Sequence, residues 1–189
     1  MKSVREIIYP LFVTMACSQG ALGRGDESSP SVPSAIAAPA GHQVDLVLRA
    51  SGVQIYRCQS AAQPATGYVW AFVAPEGTLI NRDGTVAGRH YAGPTWEATD
   101  GSKAVGTVVA QAAASDGNSI PWLLLSAAVV QRGATLGKVR FVQRLHTEGG
   151  AAPATSCTSE AANSEVRVPY TADYYFYALE SVPHALESY

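Results

Sequence analysis

The chain has 189 residues, of which only 15% are charged, and its formal net charge is −2. This composition excludes the strongly basic surface that nucleic acid binding requires, so we expect no nucleic acid partner. The length fits a single domain with a sizeable hydrophobic core.

The first seventeen residues have the layout of a bacterial export signal. Lys2 and Arg5 precede a short apolar run over residues 7–16, and Cys17 follows it directly. The run is about half of the ~20 residues that a membrane-spanning helix needs, so we assign residues 1–17 to an export signal. Cys17 is then a candidate for lipid attachment, which would be the protein's link to a membrane. Conventional cleavage a few residues later is the alternative.

Residues 18–41 contain many Gly, Ser, Pro and Ala residues and few large apolar side chains. A segment of this composition cannot bury enough apolar surface to offset the entropy that it loses on ordering. We therefore predict a flexible tether over residues 18–41, a β domain over residues 42–180 and a C-terminal tail over residues 181–189.

The β domain consists of short apolar or alternating runs that turn residues separate. In chain order the runs are 44–48, 53–58, 68–73, 105–109, 122–125, 138–146 and 166–177. Asp-Gly pairs typical of tight hairpins lie between several of them. Residues 110–114 and 126–132 fit a strand or a short helix equally well. The pattern predicts an all-β, single-domain antiparallel fold of about eight to ten short strands, either a β-sandwich or barrel-like.

The chain has three cysteines. If Cys17 carries lipid, Cys58 and Cys157 remain, and they can form a disulfide in an oxidising compartment. Two separate buried thiols are the alternative. A structural zinc site is not expected, because the chain has no Cys-x-x-Cys spacing.

One block concentrates side chains that could carry chemistry, and it contains His90, Tyr91, Trp96, Glu97, Asp100 and Ser102. A histidine that is oriented by a carboxylate can act as a general base, so His90 with Glu97 or Asp100 is a candidate catalytic pair. The alternative is structural: Trp96 fills the core, and Asp100 begins a hairpin turn.

A metal site would need ligands from distant parts of the chain. His90 and His146 are candidate ligands, with Glu97 or Asp100 as a third. His42 and His184 lie near the two ends of the predicted domain, away from this pair. We expect no cofactor.

Aromatic residues concentrate near the end of the domain. In a strand, Tyr174 and Phe176 share one face, while Tyr175 and Tyr177 share the other. We expect one set in the core, so that Tyr175 and Tyr177 could form an exposed strip. With Tyr91 and Trp96, this strip provides candidate ligand contacts. Burial of both sets is the alternative.

The sequence also places two arginines, Arg140 and Arg144, on one face with Val142. They could line a polar cleft, but we interpret them as facing water.

Several motifs occur together and in order over residues 52–177. They are GVQIYRC at 52–58, WAFVAP at 70–75, HYAGPTWE at 90–97, IPWLL at 120–124, VQRLHTEGG at 142–150 and PYTADYYFY at 169–177. In this combination the chain resembles the exported family called domain of unknown function 3455. The resemblance implies a secreted domain and adds no activity.

The sequence favours a non-enzymatic module, exported to the periplasm, the outer membrane, the cell surface or the medium, that binds a glycan or an envelope protein. The neutral composition, the aromatic side chains and the lack of a Gly-x-Ser-x-Gly motif favour this interpretation. One alternative is an extracytoplasmic hydrolase or lyase that uses His90 with Glu97 or Asp100. A metal-binding protein is the other.

Overall fold

The computed structural model describes residues 28–61 and 67–181. These residues form eight strands, which are β1 (His42–Ser60), β2 (Tyr68–Ile80), β3 (Val86–Tyr91), β4 (Thr95–Ala98), β5 (Lys103–Ala112), β6 (Trp122–Gln131), β7 (Phe141–Gly149) and β8 (Glu165–Leu179). Two single 3-10 turns, Ser34–Ile36 and Ser159–Ala161, are the helical elements of this part of the chain. None of its helices is long and apolar enough to cross a membrane.

Each strand pairs antiparallel with the next, and β8 pairs back with β1, so that the sheet closes on itself. The predicted all-β, single-domain fold is confirmed, and its architecture is a closed barrel rather than a sandwich. Residues 110–112 and 126–131, which fitted helix or strand equally well, lie in β5 and β6.

Two of the strands are much longer than the sequence predicts. β1 and β2 contain 19 and 13 residues, whereas β8 is close to the predicted run over residues 166–177. The prediction interrupted β1 at Gly52, but the strand continues through it, opposite Gly77. A Cβ at position 52 would collide with the Glu76 carbonyl oxygen, so this glycine allows a close approach of two strands.

The inward side chains alternate along the strands and fill one end of the barrel. They include Leu48, Leu79, Leu125 and Phe176. The 132–140 segment between β6 and β7 closes this end, because its Leu136 and Val139 side chains are wholly buried in the same core.

Asp100 and Ser102 hold the 132–140 segment in place. The Leu136 N–H donates to Ser102 Oγ at 3.1 Å, and the Thr135 N–H donates to Asp100 Oδ2 at 2.9 Å. Ser102 donates from its hydroxyl to Asp100 Oδ1 at 2.6 Å. These hydrogen bonds hold the pKa of Asp100 well below its ordinary value, with the Ser102 hydroxyl as the main cause.

The part of the predicted tether that the structure describes lies against the outside of the barrel. Ile36 is wholly buried against Leu124 and Leu145, and its carbonyl oxygen accepts a 2.6 Å hydrogen bond from Gln143 Nε2. The prediction of a flexible tether is therefore corrected around Ile36. β6 and β7 carry apolar side chains on both faces, and the outer set needs a cover.

The expected disulfide is confirmed: Cys58 and Cys157 are bonded, with their Cα atoms 5.9 Å apart. The bond attaches the segment between β7 and β8 to the end of β1. Two backbone hydrogen bonds support this attachment, from Cys58 N to the Ser164 oxygen at 3.0 Å and from Asn163 N to the Cys58 oxygen at 2.9 Å.

Four sequence predictions lie outside the described residues. They are the export signal over residues 1–17, lipid attachment at Cys17, the first part of the tether over residues 18–27, and the tail from residue 182 onward, which contains His184.

We predict that Cys58→Ser destabilises the oxidised protein. The bond joins residues 99 apart in the sequence, and the chain-entropy account gives roughly 4–5 kcal/mol for a loop of this length. Urea unfolding should show the variant less stable than oxidised wild type and about as stable as reduced wild type. Equal stability of the variant and oxidised wild type would contradict this account.

Ile36, Leu124 and Leu145, with the side chains packed against them, form the outer cluster. We predict that Ile36→Ala destabilises the protein by about 2–5 kcal/mol, because it removes a wholly buried side chain from this cluster. Ser34→Ala, on the same turn but exposed, is the matched control and should stay within about 0.5 kcal/mol of wild type. Urea unfolding measures both. If the two variants unfold alike, residues 34–36 contribute no cover to the barrel.

Candidate functional site

The other end of the barrel contains a cavity of about 410 Å³. Its volume lies in the range of about 300–1,000 Å³ that small-molecule sites occupy. All eight strands contribute to its wall, together with the β3–β4 turn and the segment before β6. The closed barrel thus has a filled end, which the 132–140 segment plugs, and a hollow end.

Three apolar side chains form the rim of the cavity. Phe72, Val73 and Val108 line it, yet their exposed fractions are 56%, 43% and 52%. A bulge in the β1–β2 pairing explains why the neighbours Phe72 and Val73 both reach the cavity: Ile55 pairs with Ala74 and Tyr56 with Phe72, so Val73 is an extra residue.

His90 lies in the wall of the cavity and is buried. Its Nδ1 is 2.8 Å from the Thr95 carbonyl oxygen, and its ring stacks on Trp96 with centroids 5.0 Å apart. A carbonyl oxygen only accepts, so Nδ1 carries the proton of the neutral ring. Burial lowers the pKa of His90 to about 4, although the Thr95 hydrogen bond opposes the shift and the positive charge of Arg144 adds to it. His90 is therefore neutral at neutral pH.

Arg144 provides the positive charge of the cavity. Its Nε and Nη2 donate to the Pro121 carbonyl oxygen at 3.1 and 2.8 Å. The lining contains no Asp or Glu, and within the described residues Arg144 makes no ion pair with a carboxylate. The interpretation of Arg144 as a water-facing residue is thus corrected, whereas Arg140 is exposed.

Three further lining residues have buried polar atoms without a hydrogen-bond partner: Gln54 Nε2, Trp96 Nε1 and the Tyr174 hydroxyl. The Tyr174 hydroxyl lies near the Tyr170 hydroxyl and the Arg144 guanidinium, but it makes no well-formed hydrogen bond with either. Buried polar atoms are normally paired, and each unpaired one costs about 1–3 kcal/mol. These atoms lie in the wall of the cavity but are closed off from it by their neighbours, so an acceptor in the cavity would reach them only after a side-chain movement.

The structure does not bring His90 together with the carboxylates that the sequence suggested. In the β3–β4 pairing, His90 faces Trp96 and Arg89 faces Glu97. Neighbouring pairs point to opposite faces of the sheet, so the first pair is inside the barrel and the second is outside. His90 contacts a backbone carbonyl instead, and Asp100 holds the 132–140 segment.

Glu97 and Tyr91 belong to a cluster on the outer surface. Glu97 Oε2 accepts hydrogen bonds from the Tyr91 hydroxyl at 2.8 Å and from Arg89 Nη2 at 2.9 Å, and Lys103 Nζ is 3.6 Å away. The Tyr91 hydroxyl is the main cause of the lowered pKa of Glu97. This carboxylate has its partners on the surface and is not a partner for His90.

His146 also lies away from His90. Its Nδ1 is 3.0 Å from Asp173 Oδ2, and its ring contacts Trp122 and Tyr175 on the outside of the barrel. Within the described part of the chain, no group of three or more His, Cys, Asp or Glu side chains could hold a metal ion. The suggested pairing of His90 with His146 is not formed.

The predicted exposed strip is largely covered. Tyr175 joins the outer cluster with Ile36, and Tyr177 is buried, with its hydroxyl donating to Gln143 Oε1 at 2.6 Å. Burial also raises the pKa of Tyr177 to about 12. The described N-terminal segment covers this face. Strand alternation carries no information about such a cover, so it predicts exposure. Trp96, the other expected ligand contact, is wholly buried beside the cavity.

We predict that His90 makes stability depend on pH. Its folded pKa of about 4 lies below the ordinary 6.5, so below pH 6.5 the unfolded chain binds a proton that the folded protein excludes. The free energy of unfolding is therefore not reduced by His90 above pH 6.5. It falls as the pH falls towards 4, by roughly 3 kcal/mol in all.

His90→Asn retains an N–H for the Thr95 carbonyl but does not titrate. Urea unfolding between pH 4.5 and 7.5 should therefore show a smaller loss of stability for the variant than for wild type. Parallel pH profiles for the two proteins would show that His90 does not titrate as a buried group.

A comparison with known protein families agrees with the resemblance that the sequence motifs indicate. The family described as "Protein of unknown function (DUF3455)" matches residues 39–178, which include β1 to β7 and nearly all of β8. No curated protein and no solved structure matched the chain. Because the match covers most of its length, the chain belongs to the family of unknown function DUF3455.

Proposed function

We propose that this domain is a non-enzymatic binding protein and that its site is the cavity inside the barrel. The observation that carries the proposal is the hollow end of the barrel, about 410 Å³ in volume, with an apolar rim. Eight-stranded barrels are wide enough to hold one small ligand when side chains do not fill them. The expected ligand is a small molecule, which enters past Phe72, Val73 and Val108.

The cavity supports binding better than catalysis. His90 is its one titratable imidazole, and its Nδ1 is engaged by a backbone carbonyl rather than by a carboxylate. General base catalysis would benefit from a partner that stabilises the imidazolium, which a neutral carbonyl does only weakly. An enzyme that uses His90 with Glu97 or Asp100 therefore loses its structural support.

We now expect the ligand to bind in the cavity rather than on the exposed strip that the sequence predicted. Tyr177 is buried and Tyr175 packs in the outer cluster, so these residues no longer support a surface site for a glycan or an envelope protein. We retain export as part of the proposal. The Cys58–Cys157 bond supports it, because disulfides persist mainly in oxidising compartments.

We predict that the protein binds N-phenyl-1-naphthylamine, a neutral apolar dye that fluoresces in dry surroundings, and that Val108→Trp weakens this binding at least tenfold. The larger side chain would narrow the rim. Fluorescence titration of the oxidised protein measures the affinity, and circular dichroism checks the fold.

Val109→Trp is the matched control. Val109 is the next residue in β5, is similarly exposed and does not line the cavity, so this variant should bind like wild type. If wild type does not bind the dye, or if both variants weaken binding alike, the cavity is not the binding site.

A further inference from the structure

We infer that the molecule taken into the cavity is a monocarboxylate with an apolar body, and that Arg144 is the charge partner of its carboxylate. This inference rests on the proposed function, because it names the class of ligand for the same cavity.

The charge of the cavity favours an anion. Arg144 lines it, and its guanidinium donates to the Pro121 carbonyl oxygen and lies beside the Tyr174 hydroxyl, neither of which carries a negative charge. A partly buried cation without a counter-ion is unfavourable, and a carboxylate from a ligand would provide one. The planar guanidinium also matches the geometry of a carboxylate.

The number of charges favours a monoanion. Among the lining residues, Arg144 is the one permanent cation, and His90 stays neutral because burial lowers its pKa. A ligand with two negative charges would leave one of them buried without a partner. A single carboxylate balances the cavity.

Buried donors lie in the wall of the cavity as well. Gln54, Trp96 and Tyr174 are wholly or almost wholly buried, and each has a polar atom without a hydrogen-bond partner. None of these atoms is open to the cavity, so the preference for an acid rests on Arg144.

The rest of the lining requires an apolar body. Leu123, Leu125 and the three rim residues Phe72, Val73 and Val108 surround the remaining space. A sugar would place hydroxyl groups against these side chains without partners, which is unfavourable. An aliphatic and an aromatic body both fit this lining, and in either case the ligand carries one carboxylate at its end.

The test compares acids with alcohols of the same body. Decanoate and 1-decanol form an aliphatic pair, and 2-naphthoate and 2-naphthalenemethanol form an aromatic pair. Each competes with the neutral dye on the oxidised protein at pH 7.5. We expect wild type to prefer the acid in at least one pair by tenfold or more, which corresponds to about 1.4 kcal/mol.

Arg144→Gln removes the charge but retains a hydrogen-bond donor near the Pro121 carbonyl. This variant should lose the preference for the acid, which is measured as the ratio of its affinities for the acid and for the alcohol. Arg144→Lys, which keeps the charge, should retain part of that preference. Arg140→Gln removes the same charge from an exposed position outside the cavity and should behave like wild type.

Equal binding of acid and alcohol by wild type would overturn the inference and leave the proposed function intact. The same loss of preference in Arg140→Gln as in Arg144→Gln would also overturn it, because the effect would then come from overall charge. No binding of dye, acid or alcohol would overturn both. The wild-type comparison decides the question even if Arg144→Gln fails to fold.

Discussion

The pairing of β1 with β8 is the constraint on which the rest of the structure depends. It joins residues 42–57 to residues 165–179 in a long antiparallel register and closes the sheet. Closure gives every strand an inner and an outer face and removes the exposed edges. It also creates an interior that side chains must fill or leave open, and this chain does both. The Cys58–Cys157 bond then secures the hollow end, where β1 finishes.

The two ends of the barrel differ in whether their buried polar groups have partners. At the filled end, Asp100 and Ser102 satisfy the backbone of the 132–140 segment, and the core beneath it is apolar. At the hollow end, Arg144 and several buried donors surround the cavity without an acid. The outer surface differs again, because acids there meet basic partners, as Glu97 does with Arg89. Such exposed pairs contribute little to stability, so the unbalanced charge inside the barrel is the more informative feature.

Local pattern was enough to predict much of the fold. Alternating runs and turn residues predicted the all-β domain, and the cysteine count with an oxidising compartment predicted the Cys58–Cys157 bond. Closure could not be predicted, because it depends on the pairing of the first strand with the last, and no local pattern encodes that. The docking of Ile36 was missed for a related reason. Composition indicated a tether, but the cover that Ile36 provides is required by strands more than eighty residues later.

The candidate site was predicted only in part. The sequence singled out His90 and Trp96, and both line the cavity, but it joined His90 to carboxylates that strand alternation places elsewhere. In the sequence, Arg144 shares a strand face with the apolar Val142, and this shared face was the signal that the arginine points inward. Gln54 gave no such signal. Its position became informative only when the barrel enclosed it and left its amide without a partner.

A crystal structure of the oxidised protein with decanoate at a saturating concentration would test the central claim most directly. The account predicts one decanoate inside the barrel, with its carboxylate at Arg144 and its chain directed towards Phe72 and Val108. Decanoate bound outside the barrel, or a cavity without it at saturation, would contradict the account.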